Sequence, residues 1–208
     1  MKKAVESLIR LSEGNKRFLS GESHIPDLIN HDRRSALVTE QKPFAVVLGC
    51  SDSRVPAEII FDQGLGDLFV IRIAGNIVAP SQIGSVEFAV EYFGTPLVVI
   101  LGHSNCGAVQ ATMNEFSNKT GKTSKNLLSI VSRIRPSVES VLRSAKDESQ
   151  ETLLRKAIRA NISASAENLR HGSEIIQNLV DSNQLLIVGA EYSLETGEVD
   201  FFDGIPII

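Results

Sequence analysis

The sequence predicts an α/β protein: a mostly parallel central sheet of about four parallel strands plus an antiparallel edge strand, flanked by helices and preceded by an N-terminal helical arm. Two observations carry this. Short runs rich in valine and isoleucine recur along the chain with helical patterns between them, and the runs are near-continuously apolar, as strands buried on both faces are. At 208 residues the length fits a single domain, 1–208, in which 1–37 form the arm, available to pack on a partner subunit.

From Met1 to about Leu37 the chain is polar with apolar residues at helical spacing (Val5, Leu8, Ile9, Leu11), broken near Gly21 to Asp27, where Pro26 marks a loop. One or two helices are expected there. Pro43 to Gly49, Asp67 to Ala74, Pro96 to Gly102 and Gln184 to Gly189 read as the buried strands, and Glu198 to Phe202, after the turn signal Thr196-Gly197, as the edge strand. Pro56 to Asp62, Ser81 to Phe93 and Cys106 to Phe116 carry helical spacing. The stretch from about Ser124 to Asp181 is helical almost throughout, with Pro136 as a kink or a helix start.

Composition excludes several classes of function. With 42% hydrophobic and 22% charged residues the chain is globular rather than disordered. The longest apolar stretches, Phe44 to Leu48 and Leu97 to Leu101, are far short of the roughly 20 residues a membrane-spanning helix needs, and Met1 to Ser12 lacks the apolar block of a secretory signal. No membrane partner and a cytoplasmic location are therefore expected. A net charge of −4 offers no basic surface for nucleic acid. Only two cysteines are present, Cys50 and Cys106, too few for a disulfide framework.

Those cysteines lie where chemistry is expected. Two strands end alike, Pro43-Phe-Ala-Val-Val-Leu-Gly49 before Cys50 and Pro96-Leu-Val-Val-Ile-Leu-Gly102 before His103, and open α/β sheets bind ligands outside the carboxyl ends of their strands. In His103-Ser-Asn-Cys106 a two-residue gap lets one tight turn aim both side chains at a common centre. Two thiolates and an imidazole suit zinc and leave one tetrahedral position for chemistry. Spacing alone equally allows both cysteines to be small buried hydrophobes and His103 a satisfied core histidine. Cys50-Ser-Asp-Ser-Arg54 adds a carboxylate and a guanidinium able to pair bidentately. Held by Arg54, Asp52 could accept a hydrogen bond beside a metal; released, it could ligate the metal as a fourth ligand in a closed state. The two uses exclude each other.

Together, Cys50-Ser-Asp-Ser-Arg-Val55, Phe69-Val-Ile-Arg-Ile-Ala-Gly-Asn-Ile77 and His103-Ser-Asn-Cys-Gly-Ala108 resemble the β-class carbonic anhydrases, over about Leu8 to Phe202. The resemblance implies one Zn2+ per subunit held by Cys50, His103 and Cys106, with Asp52 and Arg54 as the catalytic dyad. The implied reaction is reversible hydration of carbon dioxide to bicarbonate and a proton, by attack of zinc-bound hydroxide, in a homodimer or tetramer. It also implies a substrate pocket of Gln41, Phe69, Ala74, Phe88 and Gly107, with the glutamine and aromatics supplied by a neighbouring subunit in several members. Phe88 stands where tyrosine is frequent, so that hydroxyl is lacking. Val47 stands where some bacterial members carry a tryptophan that lines a non-catalytic bicarbonate pocket, which speaks against that pocket here. Hydrolysis of carbon disulfide or carbonyl sulfide, a non-catalytic zinc or scaffold protein, and a Cys50–Cys106 redox switch are the competing readings. His24, His31 and His171 are expected on the surface, and Asp62, Asp67 and Arg72 in ion pairs and caps.

Overall fold

The computed structural model describes residues 1–117, 124–144 and 148–206. Its centre is a five-stranded sheet of β1 (Ala45–Gly49), β2 (Leu68–Arg72), β3 (Leu97–His103), β4 (Leu186–Tyr192) and β5 (Val199–Asp203), ordered β2-β1-β3-β4-β5. The first four run parallel and β5 pairs antiparallel with β4. Both faces are covered, which is why β1 and β3 are buried at every position and show no polar alternation.

One face carries Val46, Leu48, Val98, Ile100 and Ile187 against α5 (Pro80–Phe93), α6 (Gly107–Ser117), α7 (Lys125–Ser144), α8 (Gln150–His171) and α9 (Glu174–Asp181). The other carries Val47, Val99, Leu101 and Val188 against α1 (Lys2–Ser20) and the single turn α4 (Ala57–Ile60). Each fully buried leucine or valine contributes about 1.5–3 kcal/mol relative to exposure.

The arm divides into α1 and two short helices, α2 (Ile25–Leu28) and α3 (His31–Ala36). Ala4, Leu8 and Leu11 turn one stripe of α1 onto its own sheet, and Gly21 in the left-handed conformation (φ 74°) ends the helix by donating to the Phe18 carbonyl. Buried Asn15 bridges three elements, donating to the Ile60 and Gly197 carbonyls (3.2 and 3.0 Å) and accepting from the Val199 amide (3.0 Å). Asp62 pairs with Arg17 (2.6 Å) and Asp67 with Arg10 and Arg33 (both 2.9 Å), so both carboxylates tie the arm to the loops after β1.

Element ends shift from the sequence expectation for tertiary reasons. The helix expected over Pro56 to Asp62 is only the turn Ala57–Ile60, and the strand expected to reach Ala74 stops at Arg72, where the chain bends into a 3-10 turn at Ala74–Asn76. Conversely, β3 takes in His103 and β4 runs on to Tyr192, because His103 and Tyr192 still pair in register. Pro136 neither starts nor ends a helix: it lies exposed inside α7, where the carbonyl it leaves free can face water. The long helical stretch is three helices, and its residues 145–147 lie outside those described.

The contact of α1 with the chain after β1 has no slack: a Cβ on Gly14 would lie 1.8 Å from the Phe61 carbonyl oxygen, a backbone atom that no rotamer change can move. Gly14→Ala is therefore expected to lower stability by about 1–3 kcal/mol or more, read as a lower urea midpoint with the denaturant slope preserved.

Candidate metal centre and active site

The topology builds the site. From β1 the chain moves out to β2 on one side and then crosses back past β1 to β3 on the other, so the strand order reverses between β1 and β3, where open α/β sheets bind ligands. Gly49 pairs with Leu101, so the two strands end nearly level, with Cys50 following β1 and His103 closing β3. Cys106 comes three residues later, immediately before α6.

The donor atoms of Cys50, His103 and Cys106 all lie within 4.8 Å of one another, and all three residues are buried. Nδ1 of His103 lies 2.9 Å from the Ser104 carbonyl oxygen. A carbonyl can only accept, so Nδ1 carries the proton and Nε2 presents a bare lone pair. Nε2 is buried and has no hydrogen-bond partner among the described residues. Leaving such an atom unsatisfied costs about 1–3 kcal/mol, and a metal ion between it and the two sulfurs removes that cost.

The thiols are unequal. The Cys50 thiol is pulled well below its ordinary range, chiefly because the Cys106 S–H donates to its sulfur, with further help from the amides of Gly75 and Asp52. Cys106 is pushed up by the same neighbour and by burial. The pair thus shares one proton, which a divalent cation would displace.

Beside the cluster, Arg54 grips Asp52 bidentately, Nε to Oδ1 and the terminal nitrogen to Oδ2, both at 2.9 Å. That grip holds the carboxyl well below the usual carboxylate range. Oδ2 lies 3.9 Å from His103 Nε2, so the carboxylate stands at the edge of the cluster while both its oxygens are engaged by Arg54. Arg72 forms no ion pair among the described residues; it donates to the carbonyls of Cys50 (Nε, 3.0 Å) and Asp52 and clamps the loop that carries Cys50, Asp52 and Arg54. The register Gly49↔Arg72 explains why: β2 ends beside that loop.

The expected pocket residues divide into two groups. Ala74 directly precedes Gly75, whose N–H reaches the Cys50 sulfur (3.4 Å), and Gly107 opens α6 beside Cys106 with free space in front of it. Phe69, Phe88 and Gln41 lie elsewhere. Phe69 on β2 packs with Phe88 on α5 (ring centroids 6.3 Å apart), and Phe88 stacks on Tyr92 (4.5 Å). Phe88 and Tyr92 are 45% and 74% exposed. Gln41 is exposed and lines a groove of about 800 Å³ with Leu37, Val38, Leu65, Tyr92 and Phe93. His24, His31 and His171 are exposed, as expected. Sequence reasoning missed the clamp by Arg72 and the thiolate contact of Gly75; the run Arg72-Ile-Ala-Gly-Asn76 was visible, but only strand register aims it at Cys50.

A buried cysteine-histidine-cysteine cluster with an adjoining carboxylate-guanidinium pair, at the switch point of a parallel sheet, defines a metal-binding α/β enzyme. The carbonic anhydrase family model matches residues 45–199, and the chain belongs to that family, in its β class. Carbonic anhydrase 2 of Mycobacterium tuberculosis is 39% identical over 195 residues, covering 94% of this chain and 91% of that protein. The carbonic anhydrase of Pseudomonas aeruginosa is 34% identical over 176 residues, covering 81% and 77% respectively. Among solved structures, the β-carbonic anhydrase CcaA superposes with a TM-score of 0.77 at 27% identity over 97% of this chain and 93% of that one.

The shared proton has a measurable sign. The folded Cys50 thiol is more acidic than an unfolded one and the Cys106 thiol less so, so the pair gives up its first proton more readily and its second less readily than two free thiols. Metal-free protein at pH 7 is expected to show one thiolate per chain by absorbance near 240 nm, and Cys50→Ser to remove it.

Proposed function

We propose that this protein is a zinc enzyme catalysing the reversible hydration of carbon dioxide to bicarbonate and a proton, working in the cytoplasm as a homo-oligomer. The observation that carries it is the buried Nε2 of His103, without a hydrogen-bond partner among the described residues and clustered with two cysteine sulfurs. Two thiolates and one imidazole are a zinc donor set, and three protein ligands are the number found in catalytic rather than structural sites. Zinc bound there supplies a Lewis acid and a nucleophile made from water at neutral pH.

The chain's own residues do the rest. Asp52, kept ionised and oriented by Arg54, holds a hydrogen-bond-accepting carboxylate at the edge of the cluster. Arg72 keeps that loop in place through the Cys50 and Asp52 carbonyls. At the Gly107 end of α6 the Ala108 and Val109 amides turn to the Cys106 sulfur, and the helix dipole there favours the negative charge of bicarbonate. If Asp52 turns from Arg54 toward the cluster it becomes a fourth ligand and closes the site. Ala74, next to Gly75 in the turn after β2, is proposed as an apolar wall of the pocket.

Gln41, Phe69 and Phe88 are proposed to complete the pocket of a neighbouring subunit. The exposed aromatics Phe88 and Tyr92 and the groove that contains Gln41 form a continuous surface through Tyr92, and burying it in a homodimer or tetramer removes that apolar area from water.

Asp52→Asn is expected to retain one zinc per chain yet lose about 100-fold in the hydration rate, measured by stopped flow; a variant with the wild-type rate would remove Asp52 from the mechanism. Cys106→Ser is expected to lose both zinc and activity. With two thiolates cancelling the charge of the cation, activity should climb toward alkaline pH, and a flat rate between about pH 6 and 9 would count against this reading. Phe88→Asp should shift the protein to monomer in light scattering.

A further inference from the structure

A short series of hydrogen bonds runs from the interior of α8 to the cluster. Gly75 lies in the 3-10 turn after β2 and is itself in the left-handed conformation (φ 70°, ψ 20°). A Cβ there would lie 2.7 Å from Ile134 Cδ1 and 3.1 Å from the Ala108 Cβ, so the position needs glycine for space as well as for φ. Its N–H donates to the Cys50 sulfur at 3.4 Å. The turn is pinned at its start, where the Ile73 amide donates to the Gly49 carbonyl, and closed by the Asn76 amide on the Ile73 carbonyl. Neither bond fixes the Gly75 carbonyl.

Asn161 does. It lies mid-way along α8, 2% exposed, flanked by the buried Ala157, Ile158 and Ile162. Asparagine is a poorer helix former than alanine or leucine, and an amide among apolar side chains needs a partner. Its Nδ2 donates to the Gly75 carbonyl oxygen at 2.8 Å, across 86 residues of sequence. An N–H directed at a metal-bound sulfur withdraws charge from it, and groups that orient or hydrogen-bond ligands in this way typically change metal affinity 10- to 100-fold.

We infer that Asn161 is a positioning residue of the metal centre: by holding the Gly75 carbonyl it aims the Gly75 N–H at the Cys50 sulfur and so sets how much charge that sulfur gives to a bound metal. The inference rests on the metal-site reading above. When the Gly75 N–H no longer points at it, the sulfur is more electron-rich and its charge-transfer transition to a bound metal falls in energy.

The test is cobalt(II) substitution of wild type, Asn161→Ala and Asn161→Leu, the last keeping the branched side-chain shape, with zinc affinity measured by competition against a chromophoric chelator. The expected result is a sulfur-to-cobalt absorption band that moves to longer wavelength in both variants, with zinc affinity changed about 10-fold. A band at the wild-type position overturns the inference even if affinity falls, because a purely structural role loosens the site without changing the electron density at sulfur. Loss of the fold in both variants overturns it too, by assigning Asn161 to folding. Absence of the band from wild type itself would overturn the metal-site reading and the inference with it.

Discussion

The level ending of β1 and β3 is the constraint on which the site depends. Parallel neighbours in a single register leave Cys50 and His103 side by side where the sheet stops, and the tight turn after β3 returns Cys106 to the same point. No loop has to be ordered at large entropic cost to gather the donors, because strand pairing has already done so. What the strands cannot do is satisfy the donors they gather. Two sulfurs and a lone-pair nitrogen are buried together, and Nε2 has no hydrogen-bond partner among the described residues, an arrangement that a cation would complete.

Around this cluster the polar groups hold their neighbours as well as themselves. Arg54 fixes the Asp52 carboxylate, Arg72 fixes the carbonyls on either side of Ser51, and Gly75 supplies an amide to sulfur. The last two come from β2 and the turn that follows it, so the strand on the far side of β1 serves as the support for the loop bearing ligand and dyad. Such support keeps a metal site's geometry from relaxing when a ligand or substrate changes.

The fold also separates two surfaces with different physics. The helical layer of α5 to α9 and the layer of α1 and α4 seal the sheet, and buried Asn15, Asp62 and Asp67 anchor the arm through satisfied bonds. The ridge of Phe88 and Tyr92 is left unsealed. Aromatic side chains bury much area at small entropic cost, which suits such a ridge to a subunit contact.

The alternation of strand and helix, the parallel core, the antiparallel edge, and the three donor residues with their neighbouring dyad are all legible along the chain. Those features are local: near-continuous valine and isoleucine runs report burial, and His103-Ser-Asn-Cys106 reports a tight turn. Where elements stop, and what the remaining residues do, depends on how distant segments pack. β3 and β4 lengthen because they pair with each other, Pro136 is carried through a helix held by packing, and Arg72 is drawn from the expected ion pair to carbonyls because register places it beside Cys50. Asn161 and Gly75 meet across 86 residues, and no local pattern encodes that approach. Strand pairing and helix packing act between segments far apart in sequence, which is why the candidate donor residues could be read along the chain and their supports could not.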